Sequence, residues 1–306
     1  MNPIGLPQSG GADIELEGRD VSLTSLGRVL WPSASFTKGQ MLDYYLRVAP
    51  ALLPHLEGRP LTLGRFPGGV DAPGFAQTEC RGRPAWMPVR AMRLRSGEER
   101  RFCLADDKAS LAWLANQSAI ELHTFLARGP RLEQATSVAF DLDPGRGRGL
   151  LDCCRVAVRL REVLDTSGLA SYVKTTGSRG LHVLVPLGEP DGYDRTKSFA
   201  RERAGQLTER HPEEVTAASL DSSRPGRVFI DWSRNDERQT LIAPYSLRSS
   251  ELPRVSTPVA WEEIESAVND EDHARLLFMP EEVLARVERH GDLWAPTLRA
   301  AQSLPG

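Results

Sequence analysis

The sequence predicts an α+β fold made of two successive units, and three observations support this prediction. The length of 306 residues corresponds to about two domain-sized units. After Thr37, apolar residues recur at helical spacing and then give way to an alternating stretch, which indicates an α/β module. After Gly129 and Pro130 the order becomes strand, helix, strand, strand, helix, strand. That order is compatible with a ferredoxin-like or RNA-recognition-like sheet flanked by helices.

The composition is that of an ordinary globular protein, with 40% hydrophobic and 26% charged residues and a mean hydropathy of -0.35. No run approaches the roughly 18 consecutive apolar residues of a membrane span, and the N-terminus MNPIGLPQSGGADIE lacks the regions of a secretion signal. We therefore expect a cytoplasmic protein with no membrane partner. The net charge of -3 argues against a globally basic, histone-like protein but leaves room for a local basic groove.

The four cysteines, at positions 80, 103, 153 and 154, show neither a CxxC pair nor the spacing of a zinc site. We expect them to be reduced and mostly buried. Only four of the 38 basic residues are lysines. A GC-rich coding sequence explains this bias, so the abundance of arginine is not by itself evidence for phosphate binding.

In the first unit, residues 1–21 are rich in glycine, proline and acidic residues, and we expect a loose lead-in there. Thr37 then stands in N-cap position for a helix that reads TKGQMLDYYLRVAPALLPHL. RPLTLGRFPGG alternates like a strand ending in a turn, and SLAWLANQSAIELHTFLAR predicts a second helix. We place this module at residues 22–130.

The second unit, residues 131–262, begins with a strand ending in DLD and a helix near LDCCRVAVRLREVLDTSG. The strands SYVKTTG and LHVLVPL follow, joined by the turn SRG, and then a helix around residues 194–210 and the strand RVFIDW. We expect a peripheral helical part at residues 263–290 and a tail at residues 291–306, so that the functional domain covers residues 22–290.

The stretch FDLDPG places Asp141 and Asp143 on one face of a strand, because successive side chains point to opposite faces. Pro144 ends the strand and leaves the pair at its exposed end. Two carboxylates this close repel each other unless a hard cation lies between them, which favours a magnesium or manganese site. A lone DxD is more often a surface turn or a capping pair, so the prediction needs support from elsewhere.

A third carboxylate, Asp231, follows another apolar run in VFIDWSRN. Three converging carboxylates are typical of a two-metal phosphoryl-transfer centre, although Asp231 alone could equally satisfy a turn. In KTTGSRGLHVLVPL, Gly177 and Gly180 bracket a turn whose backbone amides could cradle a polyphosphate, with charge added by Arg179. A single strand histidine such as His182 is usually structural, but its place after a basic glycine turn favours a phosphate contact.

Taken in order, FDLDPG, TTGSRGLH and FIDWSRN followed by TLIAPYSLR resemble the three catalytic motifs of the archaeo-eukaryotic primase superfamily. More narrowly, they resemble the polymerase domain of bacterial ligase D and its stand-alone actinobacterial relatives, one group of which is associated with ligase C. The resemblance includes GRVLWP, FTKGQMLDYY, LPHLEGRPLTLGRFPGG, AIELH and RVSTPVAW, and it spans residues 22–262. It implies a primase-polymerase fold.

The resemblance also implies a role for each matching residue. Two divalent metals, manganese or magnesium, would be held by Asp141, Asp143 and Asp231. The nucleoside triphosphate would be bound by Thr176, Ser178, Arg179, Gly180, His182, Arg248, His123 and Arg65. A DNA 5'-phosphate would be gripped by Lys38 and Arg28, and template bases would stack on Phe75.

Some positions depart from the ligase D pattern. Thr176 replaces the usual serine but keeps a hydroxyl, and Arg179 replaces a lysine. FAQT lacks the paired aromatics, and LGRFP leaves Arg65 to act without a neighbouring charge because Gly64 supplies none. These departures leave the catalytic centre intact, change the grip on the template strand, and fit a stand-alone branch specialised for short gaps. We expect a separate DNA ligase to seal the product.

The leading hypothesis is a template-directed nucleotidyltransferase that fills short DNA gaps during end joining or excision repair, favours ribonucleotides and recognises a 5'-phosphate. A haloacid-dehalogenase phosphatase is disfavoured, because Pro-Gly-Arg follows the second aspartate and no lysine occupies the required place. A weakly catalytic or non-catalytic module that binds gaps and recruits a DNA ligase is the other alternative. The three carboxylates argue against it, since a pure binding role gains nothing from crowding acids beside a polyanion.

Overall fold

The computed structural model describes residues 5–93, 97–218 and 226–305. These residues divide into two compact units that are not continuous in sequence. The first unit runs to Phe125 and is completed by Ile242–Val255 and Met279–Asp292. The second unit comprises Leu126–Leu241, Ser256–Phe278 and the residues from Leu293 onward. None of the helices in the described ranges combines the length and the apolarity that crossing a bilayer requires.

The helices are α1 (Lys38–Leu56), α2 (Lys108–Asn116), α3 (Leu150–Asp165), α4 (Tyr193–Arg210), α5 (Trp261–Asn269) and α6 (Pro280–His290). The first nine strands are β1 (Ala12–Leu16), β2 (Arg19–Leu23), β3 (Val29–Trp31), β4 (Phe36–Thr37), β5 (Leu61–Arg65), β6 (Phe75–Gln77), β7 (Val89–Arg93), β8 (Glu99–Cys103) and β9 (Ala119–Phe125). The later strands are β10 (Gln134–Pro144), β11 (Tyr172–Thr175), β12 (Leu181–Gly192), β13 (Val215–Thr216), β14 (Val228–Asp231), β15 (Thr240–Ile242) and β16 (Pro258–Val259).

The first unit is organised around helix α1 and strand β5. Thr37 caps α1 as predicted, since its side chain accepts from the backbone N–H of Gln40 while Gln40 accepts from that of Thr37. The apolar face of the helix is fully buried at Met41, Leu42 and Tyr45. Strand β5 pairs with β9 on one side and β8 on the other, and β6 pairs with its end.

Two predictions for the first unit are wrong. The predicted second helix ends at Asn116, and AIELHTF forms strand β9 instead. Ser118 adopts a φ of 58°, which breaks the helix, and the apolar residues beyond it pair with β5. The expected loose lead-in contains the hairpin β1–β2, because apolar residues alternate along both strands and Glu17 and Gly18 turn with positive φ. The first four residues of that lead-in lie outside the described residues.

The prediction that all four cysteines are reduced is also wrong. Cys80 and Cys103 form a disulfide between partners 23 positions apart in sequence. The backbone N–H of Cys80 donates to the carbonyl of Arg101 at 2.7 Å, which lays the segment after β6 against β8 and brings the sulfurs together. Cys153 and Cys154 are free and buried, as predicted.

The second unit has the predicted split arrangement. Its sheet has the strand order β13-β14-β10-β12-β11-β16, in which β14, β10, β12 and β11 reproduce the antiparallel core of an RNA-recognition-like sheet. Helices α3 and α4 both contact β10 and β12 and pack against each other. Along β10, Val138, Phe140 and Leu142 are fully buried, so the alternate positions Asp141 and Asp143 lie on the opposite face. The α+β prediction is therefore confirmed.

The last residues of the chain belong to the second unit. The side-chain amide of Gln302 donates to the carbonyls of Ala170 and Pro186, each at 2.8 Å. The backbone N–H of Gly188 donates to the carbonyl of Gln302 at 2.8 Å. The segment predicted as a tail is thus tied to β12 and to the loop before β11.

Candidate functional site

The acidic centre lies on one face of the second unit's sheet. Asp141 on β10 stands directly opposite Asp231 on β14 and His182 on β12. His182 in turn stands opposite Lys174 on β11. Residues paired in this way on adjacent strands share a face of the sheet. The register therefore makes a row of two carboxylates, an imidazole and an ammonium group, and Asp143 lies on the same face two residues beyond Asp141.

Asp141 is held as a carboxylate by its neighbours. Burial by itself would raise its pKa, but His182, Arg234 and Lys174 together lower the pKa below its ordinary value. His182 Nε2 lies 3.2 Å from Asp141 Oδ1. Lys174 is buried and donates from Nζ to Ser256 Oγ at 2.7 Å, so its charge is fixed at the end of this row.

One cation already joins two of the three predicted metal ligands. Arg234 Nε lies 3.2 Å from Asp141 Oδ2 and 3.1 Å from Asp231 Oδ2. No three Asp, Glu, His or Cys side chains of the described ranges are gathered closely enough to hold a metal ion as they stand. Two carboxylate oxygens that converge on one positive group are nevertheless suitable ligands for a divalent cation. In this structure the positive group between them is the Arg234 guanidinium.

The segment that carries Arg234 is anchored to β10 by its neighbour. Asn235 is fully buried and donates to the carbonyl of Ala139 at 2.7 Å, while Ala139 donates back to the Asn235 amide oxygen at 2.9 Å. Sequence reasoning assigned no role to Arg234 or Lys174. The available signal was a basic side chain inside each motif, three residues after Asp231 and two before Thr176.

The glycine turn lies against β10 beside the DxD pair. A Cβ at Gly180 would be 2.5 Å from the carbonyl oxygen of Leu142 and 3.6 Å from Asp143 Oδ1. Gly177 adopts a φ of 71°, which only glycine accepts without strain. The buried Thr176 hydroxyl accepts from the backbone N–H groups of Ser178 and Gly180, each at 3.3 Å, so it holds the turn together.

The predicted triphosphate ligands of the second unit differ in exposure. Arg179 is exposed and Ser178 is half-buried, so both side chains are accessible to a ligand. His182 and Thr176 are buried, and their contacts run to Asp141 and to the turn. The resemblance implies one set of triphosphate ligands, whereas the structure separates accessible side chains from supporting ones.

A basic cluster lies in the first unit. The Lys38 backbone N–H donates to the carbonyl of Arg28 at 2.8 Å, and Lys38 Nζ donates to the carbonyl of Thr24 at 2.6 Å. Burial, followed by the charges of Arg28 and Arg65, lowers the pKa of Lys38 to about 8. Lys38 and Arg28, the two residues predicted to bind the 5'-phosphate, are thus close together. Arg65, which was predicted to contact the nucleotide, also lies near enough for its charge to act on Lys38.

Phe75 is a large apolar side chain that the first unit leaves exposed, at 50% of its surface. The guanidinium carbon of Arg65 lies 5.4 Å from the centroid of its ring. Arg65 is itself fixed, since Nε donates to the carbonyl of Gln117 and Nη1 donates to the Gln77 amide oxygen, each at 2.7 Å. The Arg65 guanidinium thus contacts the ring while half of the Phe75 side chain stays exposed.

His123 and Arg248 lie together in the first unit around a carboxylate that sequence reasoning missed. Glu121 Oε2 is 2.9 Å from His123 Nε2, and its Oε1 is 3.5 Å from Arg248 Nε. The signal was the acidic residue two positions before the histidine in IELH, on the same face of strand β9.

Known proteins are similar to this chain over most of its length. The family pattern described as LigD, primase-polymerase domain, matches residues 37–294. The multifunctional non-homologous end joining protein LigD of Mycolicibacterium smegmatis is 38% identical over 279 residues, which is 90% of this chain and 36% of that protein. The bifunctional non-homologous end joining protein LigD of Bacillus subtilis is 29% identical over 276 residues, which is 89% of this chain and 43% of that protein. The chain thus spans less than half the length of either relative.

A solved structure is similar over nearly its whole length. The polymerase domain from Mycobacterium tuberculosis ligase D, in complex with DNA, matches this fold with a TM-score of 0.85 and 36% sequence identity. The match covers 92% of this chain and 99% of that domain.

Proposed function

This chain belongs to the family of LigD primase-polymerase domains, and on that basis we propose that it is a template-directed nucleotidyltransferase that fills short gaps in DNA. The observation that carries the proposal is the pairing of Asp141 with Asp231 and His182 across three strands, beside a glycine turn. Carboxylates at a phosphate-binding turn serve phosphoryl transfer. The similar polymerase domain was solved with DNA, which supports DNA as the partner of this chain.

The residues of the second unit have separate tasks in this reaction. Asp141, Asp143 and Asp231 would hold two divalent ions, manganese or magnesium, and the bound ions would supply positive charge for phosphoryl transfer from the nucleotide to the primer 3'-hydroxyl. His182 and Lys174 keep Asp141 ionised. The backbone amides of the glycine turn that do not donate to Thr176, together with the side chains of Ser178 and Arg179, bind phosphate oxygens. Thr176 and Gly180 hold that turn against β10.

The residues of the first unit recognise DNA and nucleotide. Lys38 and Arg28 bind the 5'-phosphate at the far side of a gap, as charge-assisted donors. Phe75 stacks on template bases, with Arg65 supporting the ring. His123 and Arg248 contact the nucleotide. The substrate is a ribonucleoside triphosphate in preference to its deoxy form, and the binding of DNA weakens with salt because counterions are released.

The biological setting is repair of DNA breaks in the bacterial cytoplasm, at the nucleoid. Relatives at 38% and 29% identity are non-homologous end joining proteins, which supports end joining as the pathway. A DNA ligase activity seals the filled gap.

One observation favours a second candidate function. Arg234 lies between Asp141 and Asp231, and a guanidinium that stays there would exclude divalent ions. The chain would then be a non-catalytic module that binds gaps and recruits a DNA ligase.

Primer extension decides between the two. The substrate is a short-gapped DNA duplex with a 5'-phosphate, and the reaction contains manganese. Extension with ribonucleotides and with deoxyribonucleotides is measured for the wild type and for Asp141→Ala/Asp143→Ala. The proposal expects templated extension by the wild type alone, with gap binding retained in the variant. Absence of extension by either protein, together with tight gap binding, would contradict the polymerase and favour the non-catalytic gap-binding module.

A further inference from the structure

Glu121 stands at the centre of a small polar cluster in the first unit. Its Oε1 accepts from the backbone N–H of Ser249 at 2.9 Å and from the Ser249 hydroxyl at 2.7 Å. Arg248 Nε lies 3.5 Å from the same oxygen, and His123 Nε2 lies 2.9 Å from Oε2. Both carboxylate oxygens are thus engaged, and they join strand β9 to the segment after β15.

The carboxylate is charged at every ordinary pH. Only 11% of the Glu121 side chain is exposed, and burial would raise its pKa. The hydrogen bond with His123 and the charges of Arg248 and His123 outweigh burial, with help from Ser249, and bring the pKa down to about 2. A buried, permanently ionised carboxylate is costly unless its partners are held in place, so the cluster is a fixed arrangement.

The backbone beneath Arg248 is also fixed. The Ser246 hydroxyl accepts from the backbone N–H of Leu122 at 2.9 Å, and the Tyr45 hydroxyl accepts from that of Leu247 at 3.1 Å. Ser246, Leu247 and Tyr45 are fully buried. The main freedom left to Arg248 is therefore that of its side chain, and Glu121 restrains this side chain at Nε.

Space for the carboxylate comes from the neighbouring strand. Gly64 on β5 stands opposite Glu121 on β9. A Cβ at Gly64 would lie 2.9 Å from Glu121 Cβ and 3.3 Å from Oε2. Gly64, the glycine of LGRFP, therefore leaves the space that the Glu121 side chain occupies, in addition to lacking a charge of its own.

We propose that Glu121 is a positioning residue for nucleotide binding, which orients His123 and Arg248 together through a single carboxylate. This inference rests on the proposed function, since it takes the ligand to be the nucleoside triphosphate. His123 and Arg248 keep 23% and 25% of their side chains exposed, so both remain accessible while Glu121 is covered. The negative charge of Glu121 weakens the attraction of this cluster for phosphate, but Glu121 also fixes the directions of His123 and Arg248. In this proposal the second effect is the larger one for nucleotide affinity.

The test is Glu121→Gln in the full chain, which keeps the shape of the side chain and removes its charge. We expect the KM for nucleotide and its Kd in the presence of gapped DNA to rise about tenfold, as for the loss of one charge-assisted hydrogen bond. We expect kcat to change less and the affinity for gapped DNA to stay near that of the wild type, while the thermal unfolding temperature falls because His123 and Arg248 lose their counter-charge. Tighter nucleotide binding would overturn the proposal, because it would show that the charge of Glu121 acts only against phosphate.

A double-mutant cycle separates positioning from mere packing. Combining Glu121→Gln with His123→Ala and Arg248→Ala should cost clearly less than the sum of the separate losses in nucleotide affinity, because Glu121 acts through those two residues. Additive losses would mean that Glu121 acts independently of them, and the proposal would be wrong.

Gly64→Ala tests the same idea without changing the carboxylate. The new methyl group should displace Glu121 and raise the KM for nucleotide while gap binding persists. Gly205→Ala in α4 is the matched control, since a Cβ there meets nothing within 4 Å. If the wild type binds nucleotide and Glu121→Gln and Gly64→Ala bind it equally well, the positioning role is wrong and the proposed function stands. If the wild type binds no nucleotide, both the positioning role and the proposed function are wrong.

Discussion

Asp141 and Asp231 stand opposite each other on antiparallel strands, and one nitrogen, Nε of Arg234, lies within 3.2 Å of a carboxylate oxygen of each. Two buried acids so close would repel each other without an intervening positive charge. In the proposed reaction the same two carboxylates hold a divalent ion, and the Arg234 guanidinium would compete with that ion.

Arg234→Gln should bind manganese several-fold more tightly than the wild type, because the ion no longer competes with a guanidinium group. The metal-free variant should also unfold at a lower temperature than the wild type, because two carboxylates lose the counter-charge of Arg234. Added manganese should raise that temperature again. Titration of free manganese by electron paramagnetic resonance measures the affinity. Arg238→Gln is the control, because Arg238 pairs with the adjacent Glu237. Equal affinity in wild type and Arg234→Gln would show that the guanidinium does not obstruct the site.

Lys38→Ala should weaken binding to a gap with a 5'-phosphate and leave binding to a gap with a 5'-hydroxyl nearly unchanged. The lost contact is a charge-assisted hydrogen bond, which contributes about 1.5–3 kcal/mol. Fluorescence anisotropy with the two duplexes measures the difference. An equal loss on both duplexes would remove Lys38 from the 5'-phosphate site.

The preference for a 5'-phosphate should fall as the pH rises through about 8, the value to which burial, Arg28 and Arg65 lower the pKa of Lys38. Neutral Lys38 attracts the phosphate less than the ammonium form does. The free energy of unfolding depends on pH in the opposite direction. Because the pKa of Lys38 is lower in the folded than in the unfolded protein, Lys38 favours folding at a pH above its unfolded pKa. That contribution is lost as the pH falls through about 8. Anisotropy titrations on either side of this pH, with the 5'-hydroxyl duplex as reference, measure the preference. A constant ratio of the two affinities would contradict the prediction.

Gly180→Ala should abolish nucleotide binding and destabilise the protein. The new Cβ would lie 2.5 Å from the Leu142 carbonyl oxygen, so the turn must move away from β10 and from Asp143. Gly192→Ala is the matched control, because a Cβ there meets nothing within 4 Å. Thermal unfolding and nucleotide titration measure the two effects. Wild-type nucleotide affinity in Gly180→Ala would show that the turn's close approach is not needed.

Phe75→Ala should reduce affinity for DNA with an unpaired template base by about 1–3 kcal/mol, the contribution of stacking one base on an aromatic ring. Because half of the side chain is exposed, the free energy of unfolding should change little. Phe75→Tyr keeps the ring and should bind as the wild type does. Anisotropy on gaps with and without an unpaired base isolates the effect. If Phe75→Ala weakened binding to both duplexes equally, template stacking would not be its role.

Features set by neighbours in sequence were predictable. A threonine before a helical apolar pattern caps α1, and strict alternation puts Asp141 and Asp143 on one face of β10. The error at AIELHTF has the opposite cause. Periodicity in so short an apolar segment is ambiguous between helix and strand, and pairing with β5 decides the outcome.

The ordered motifs of the sequence determined the family, the α+β class and the candidate residues, because each depends on side-chain type and local spacing. Strand register decided which residues meet. It placed Asp231 against Asp141 across 90 positions of chain and Glu121 beside Gly64. Segments outside the strands brought Arg234 to the two aspartates and Cys80 to Cys103. Hydrogen bonding between strands depends on the backbone and on burial of the whole sheet face, so no single segment of the sequence specifies these partners.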